Sequence, residues 1–156
     1  MERERAKDIG KGRGTVGAAA VGLAAAKAAQ AEQDADVAAA IVMSAGFREA
    51  GREGVQLEAE LAESLRDSSL RVIGPNCVGL MCPRTGLNAT FATNMVRPGR
   101  VALISQSGAL LTAIIGWSLK EDVGFSAVVS VGSMVDVDWA ALLDYFVDDP
   151  FTDTVL

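Results

Sequence analysis

Histidine is absent from all 156 residues. No Ser-His-Asp triad, Cys-His pair, histidine metal ligand or phosphohistidine can therefore form from this chain alone. Cysteine is scarce, with Cys77 and Cys82 the two present. Two thiols cannot build a disulfide framework or a four-cysteine zinc site, and free thiols fit a reducing compartment, so a cytoplasmic location is expected. Positive charge is in deficit: 14 Lys and Arg against 20 Asp and Glu leave a net charge of −6. Such a chain is poorly suited to a phosphate backbone, and nucleic acid is not an expected partner. Long apolar runs are also missing. The best near the start, Val16 to Ala29, is mostly alanine and contains Lys27. It is too weak for a membrane span or a signal-peptide core, so no membrane partner is expected. What remains is half hydrophobic and 22% charged, the balance of a globular chain.

Residues 1–36 read as an atypical segment rich in alanine and glycine. Gly10, Gly12, Gly14 and Gly17 follow no apolar strand, so a loose helix start explains them better than a phosphate-binding turn. From residue 37 the pattern sharpens. Val37 to Ser44 predicts a buried strand, and Glu49 to Ser68 a helix with Leu57, Leu61, Ala62 and Leu65 on one face. Leu70 to Ile73 predicts a second strand, stopped by Gly74-Pro75. Cys77 to Gly99 shows little periodicity and reads as an ordered connection. Val101 to Ser105 is a strand, and Ala109 to Lys120 a helix so apolar that burial on several sides is expected, with Gly124 as a left-handed cap. Ser126 to Val131 is a further strand. Asp136 or Asp138 caps a last helix with Trp139, Leu142, Leu143 and Phe146 on its inner face. Thr154 to Leu156 begins another strand. Both tryptophans, Trp117 and Trp139, are expected in cores.

Alternating helices and short, wholly apolar strands predict an α/β fold with parallel sheets covered on both faces. Two partial three-layer units are expected, 37–98 and 99–156. Each lacks an element, which suggests a piece of a larger two-lobed protein. Exposed sheet edges predict poor solubility or association with another chain, and a homo-oligomer is a separate expectation.

Three strand-end turns could carry chemistry. Ser105-Gln106-Ser107-Gly108 opens a helix whose first-turn N–H groups and dipole make an anion site, unless Ser107 is an ordinary N-cap. No Gly-Lys-Ser/Thr follows, so it is not a Walker loop. Gly74-Pro75-Asn76-Cys77 would hold Cys77 rigidly near a thiol or thioester ligand, unless the thiol is simply a small buried hydrophobe. Ser44-Ala45-Gly46-Phe47 suits close approach of a ligand and equally suits a plain connection. The acidic tract Asp136, Asp138, Asp144, Asp148 and Asp149 is better explained by capping and solvation than by a metal.

Several longer stretches together resemble one family. They are IVMSAGFREAG (41–51), RVIGPNCVGLM (71–81), GLNATFA (86–92), GRVALISQSGALLTAIIGW (99–117), GFSAVVSVGSMVDVDW (124–139) and LLDYFVDDP (142–150). In this order they are similar to the NDP-forming acyl-CoA synthetases, the ADP-forming acetate–CoA ligases related to the succinyl-CoA synthetase alpha subunit. The resemblance implies a Rossmann-like CoA-binding half over 37–98 and a flavodoxin-like ligase half over 99–156. It implies a reaction joining acid, CoA and ATP into acyl-CoA, ADP and phosphate through a phosphohistidine that this chain does not contain. It places Ser105, Gln106, Ser107 and Gly108 at the phosphate, and Ser44, Ala45, Gly46, Phe47, Pro75, Asn76 and Cys77 at CoA or acyl-CoA. ATP or ADP and Mg would belong to the complete enzyme, as would the nucleotide-grasp domain or beta subunit as partner. The wording VGSMVDVDW also resembles bacterial forms fused to a GNAT acetyltransferase, which implies a non-catalytic CoA-sensing alternative. The isolated chain is expected to have no ligase activity and weak CoA binding.

Overall fold

The computed structural model describes residues 37–156. Among these, two compact units separate: 37–40 with Ser44–Arg71, and Ile41–Met43 with Val72–Leu156. A small two-stranded ladder is formed by β1 (Ala39–Ile41) and β2 (Arg71–Ile73).

The first unit is built on α1 (Arg52–Leu65). Leu61 and Leu65 are buried on its inner face, as their spacing predicts, and Leu57 is half-buried. Ala62 is exposed instead of inside, and Gly54 and Glu58 take the remaining buried positions. At Gly54 the helix lies against the Phe47 carbonyl, and Phe47 itself is fully buried. The Glu58 carboxylate is tolerable inside because it is paired. Arg48 gives it an ion pair, a hydrogen bond from Nε, and a backbone N–H at 3.4 Å.

The second unit carries a five-stranded sheet in the order β4-β3-β6-β5-β7. These strands are β3 (Gly79–Cys82), β4 (Leu87–Thr90), β5 (Arg97–Ser105), β6 (Gly124–Ser130) and β7 (Thr154–Val155). β5 is parallel to β6 and to β7, and β3 is antiparallel to β4 and to β6. The parallel part follows the expected strands. The hairpin β3–β4 does not: it occupies the stretch read as a connection. Each of its strands has four residues, too few to show a period, and β4 leaves Leu87 half exposed. Pro98 is accommodated in β5 because the β5–β6 register shifts between Pro98 and Val101.

Alternation along β5 and β6 divides the core between two faces of the sheet. Leu103 and Val128 join Met81, Val96, Phe125 and two residues of α2 (Gly108–Lys120), Leu111 and Ile115. Ala102, Ile104 and Val129 join Val131 and the α3 (Trp139–Val147) residues Leu142 and Phe146. Each large side chain so buried is worth about 1.5–3 kcal/mol. This is the expected sheet covered on both sides.

The helices are less buried than their composition predicts. In α2, Leu111, Ile115 and Ser118 face inward, while Leu110 is 55% and Trp117 53% exposed. In α3, Trp139 is 39% and Leu143 45% exposed beside the buried Leu142 and Phe146. Neither tryptophan is a core residue. An apolar helix buries what its neighbours reach, and here one face of each meets the sheet. Gly124 is a strand residue paired with Arg97, not a helix cap. The left-handed residue after α2 is Asp122, at φ 58°. No helix among the described residues is long and apolar enough to cross a membrane.

Candidate functional site

After Ile73 the chain turns through Gly74-Pro75, joined by a cis peptide bond. Gly74 and Asn76 have φ of 102° and 55°, conformations that glycine and asparagine tolerate best. Pro75 and Cys77 are buried, and Asn76 is exposed. The Cys77 thiol is turned inward and donates to the Val42 carbonyl at 3.4 Å. Burial raises its pKa above the ordinary thiol value, against a smaller downward effect of a Gly79 backbone hydrogen bond. The thiol is therefore protonated and enclosed at neutral pH. Its position is that of a small buried hydrophobe, and Asn76 is the part of the turn that solvent reaches.

The second turn closes β5 and opens α2. Ser105 is buried, and its hydroxyl stays within the turn: Oγ accepts from the Ser107 N–H at 3.0 Å and donates to the Ser107 carbonyl at 3.2 Å. Ser107 is the N-cap, its Oγ accepting from the Leu110 N–H at 3.2 Å. Both serines thus shape the turn. Capping satisfies one first-turn donor, and the Gly108 and Ala109 N–H groups have no acceptor inside the helix. They define the positive end of the α2 dipole. The missing side chain at Gly108 makes room for Val78, whose methyl would stand 2.6 Å from an added Cβ.

A third segment, Val131–Val137, joins these two turns. Its N–H groups at Ser133, Val135 and Val137 donate to the carbonyls of Pro75, Gly74 and Val72 at 2.8, 3.0 and 3.1 Å. Asp136 Oδ2 accepts from the Val72 N–H at 2.6 Å. On the other side, the Val131 N–H donates to the Ser105 carbonyl at 3.0 Å, and Gln106 Nε2 reaches the Gly132 carbonyl at 3.3 Å. Just before the segment, the buried Ser130 Oγ accepts from the Val78 N–H at 2.9 Å. Gly132 has φ 57°, and a Cβ there would lie 2.0 Å from the Pro75 carbonyl oxygen. Only glycine lets the two backbones come this close.

The turn at Ser44–Phe47 lies in the other unit. Ser44 is half-buried and Ala45 exposed, while Gly46 and Phe47 are buried. Their N–H groups are both taken by the Glu49 carboxylate, Phe47's at 3.2 Å. Phe47 is a core side chain with no exposed surface, so Ser44 and Ala45 are the members of this turn open to a ligand.

Three members of the acidic tract, Asp136, Asp138 and Asp149, serve local structure. Asp138 caps α3, accepting from the Ala141 N–H at 2.9 Å, and Asp149 accepts from Thr152 Oγ1 at 2.6 Å. Sequence reasoning missed the bracing roles of Ser130, Gly132 and Asp136. The one available signal was a glycine between a strand and a helix cap.

Residues 98–156 match the family model described as "Succinyl-CoA ligase like flavodoxin domain". The alpha subunit of the ADP-forming acetate–CoA ligase I of Pyrococcus furiosus is 48% identical over 115 residues, 74% of this chain and 25% of that protein. The ADP-forming acetate–CoA ligase I of Archaeoglobus fulgidus is 44% identical over 121 residues, 78% of this chain and 18% of that protein. Among solved structures, the dinucleotide forming acetyl-coenzyme A synthetase 1 of Ca. Korarchaeum cryptofilum, in complex with phosphate and ADP, superposes with a TM-score of 0.76. It is 41% identical and covers 81% of this chain and 27% of that one. The chain thus spans about a quarter or less of the length of the two curated relatives just named.

Proposed function

Because this chain belongs to the NDP-forming acyl-CoA ligase family, we propose that it is the part of such a ligase that holds phosphate beside the thioester end of CoA. The reaction assigned to the whole protein joins a carboxylic acid and CoA to form acyl-CoA, with ATP yielding ADP and phosphate. The observation that carries the reading is the bracing of two strand-end turns by one segment. Val131–Val137 is hydrogen-bonded both to Gly74-Pro75 and to Ser105-Gln106.

We assign the free N–H groups of Gly108 and Ala109 to the phosphate. Fixed backbone donors at a helix N-terminus suit an anion that must bind, react and leave, because they need no reorganisation. Ser105 and Ser107 position that turn, and Gln106 connects it to Gly132. Pro75 and the exposed Asn76 are assigned to CoA or acyl-CoA, with Cys77 filling the space beneath them. Ser44 and Ala45 are assigned to CoA as well. Residues 37–98 are read as a partial CoA-binding domain, and 99–156 as the opening of the ligase domain.

These 156 residues contain no histidine, so the phosphorylated side chain is assigned outside them, as is the nucleotide-grasp domain or beta subunit. ATP and Mg are assigned to the complete enzyme, and no step is assigned to a metal on this chain. Among the described residues no cluster of three His, Cys, Asp or Glu could hold one. The relatives named above are ligases and a synthetase, which favours this reading over a CoA-sensing region of an acetyltransferase.

The test is a titration of the 15N-labelled chain with inorganic phosphate. The Gly108 and Ala109 amides are expected to shift first and furthest. Shifts confined to other residues, or none at millimolar phosphate, would remove the assignment. Assays of the same chain with acetate, CoA and ATP are expected to form no acetyl-CoA.

A further inference from the structure

We propose that Val78 is a positioning residue that couples the two site turns, so that a ligand at one is felt at the other. The inference rests on the ligand assignments above for what occupies each turn, and on packing contacts for the coupling itself. Val78 directly follows Cys77 and so leads out of the Gly74–Cys77 turn. Its backbone is held by Ser130, whose fully buried Oγ accepts from the Val78 N–H at 2.9 Å. Ser130 is also the ladder partner of Ser105, where the second turn begins. The Val78 side chain packs against the core cluster that holds Leu111 and Ile115 of α2. It also reaches the start of that helix, where one of its methyls stands 2.6 Å from the place of a Cβ on Gly108.

The lack of a side chain at position 108 follows from this contact. Gly108 has no positive φ, so its backbone does not call for glycine. Among the described residues, the Val78 methyl is the only atom of another segment within 4 Å of the place of its Cβ. One valine thus sets how closely the first turn of α2 approaches the residues after Cys77. The consequence is functional, because the N–H groups of Gly108 and Ala109 are assigned to the anion and Pro75 and Asn76 to CoA. Groups that react together gain rate from a fixed separation. The Val131–Val137 segment joins the same two turns by hydrogen bonds. Val78 joins them by packing, and a close-packed contact transmits a displacement from either end. Such coupling is reciprocal: what phosphate does to the CoA turn, CoA does to the phosphate turn.

Two measurements on the 15N-labelled full chain test this, and the first needs no ligand. Gly108→Ala should shift the amides of Asn76 and Cys77 as well as those of its own helix turn. In a Val78→Ala background the same substitution should leave Asn76 and Cys77 in place. Equal shifts in both backgrounds, or none in either, would overturn the proposal. If Gly108→Ala alone fails to fold, Val78→Ala should restore folding, read by circular dichroism, and failure to restore it would also overturn the proposal. The second measurement is titration with inorganic phosphate. In the wild type, phosphate should move the Asn76 amide together with those of Gly108 and Ala109. Val78→Ala should abolish the Asn76 response and leave the affinity read at Gly108 and Ala109 within twofold. If Gly108 and Ala109 respond in the wild type and Asn76 does not, or if the Asn76 response survives Val78→Ala, the proposal is overturned. Silence at Gly108 and Ala109 would remove the phosphate assignment alone, and the ligand-free comparison then decides the coupling.

Discussion

The backbone N–H of Val72 ends on the carboxylate of Asp136, 64 positions further along the chain, at 2.6 Å. The Val137 N–H returns to the Val72 carbonyl at 3.1 Å. Both polar groups of one residue in the short strand β2 are thus satisfied by the loop that leads from β6 to α3. This pairing sets the strand end from which the Gly74–Cys77 turn begins.

Asp136→Ala removes the acceptor and leaves a partly buried N–H unpaired, which costs about 1–3 kcal/mol. Asp136→Asn retains an oxygen that can accept, so its loss should be the smaller. Urea unfolding of the three chains measures this. Equal midpoints for wild type and Asp136→Ala would contradict the bracing role.

Gly132→Ala should destabilise by more than about 2 kcal/mol. It combines a left-handed backbone with a methyl forced to 2.0 Å from the Pro75 oxygen. The two backbones must then separate. Hydrogen exchange at Ser133 and Val135, which donate to Pro75 and Gly74, should accelerate in the variant. Unchanged protection would mean that the close approach is not needed.

Cys77 keeps its proton in the folded chain to higher pH than an ordinary thiol. The unfolded chain releases that proton near about pH 8.5. Above that pH the folded state binds more protons than the unfolded state, so stability falls as pH rises. The contribution is fully present below the unfolded pKa and disappears as pH passes the folded one. Cys77→Ala should flatten the alkaline side of the stability curve relative to wild type. A thiol reagent at pH 7.5 should modify the half-buried Cys82 first. Preferential modification of Cys77 would show that the turn opens.

Glu58→Ala removes the acceptor of the Arg48 side chain and of its backbone N–H. Arg48 is itself largely exposed and can turn to water. The cost should therefore be about 1–2 kcal/mol, below that of orphaning a fully buried ion. The midpoint of chemical denaturation reads it. A loss as large as for a Leu61→Ala core truncation, about 2–5 kcal/mol, would mean Arg48 cannot leave.

The legible parts of the fold are those whose signal is local. Val101 to Ser105 and Ser126 to Ser130 lie in strands as their apolar runs require, and Ser107 and Asp138 cap the helices they precede. The hairpin β3–β4 was not legible, because four-residue strands carry no period and their stability comes from pairing with β6. The two site turns were visible as candidates. The roles within them were not: Ser105 reads equally as a ligand donor or an internal brace until Ser107 is seen against it.

By itself, the sequence determined what chemistry is absent, since a chain without histidine cannot supply a phosphohistidine. It determined the alternation of strands and helices, because apolar runs and caps act over a few residues. Only the tertiary structure decided that Cys77 is enclosed, that the outer face of α2 stays open, and that Val131–Val137 braces two turns distant from it in sequence. Those outcomes depend on which segments meet across tens of residues. Burial and hydrogen-bond satisfaction are properties of such meetings, and no single stretch of chain encodes them.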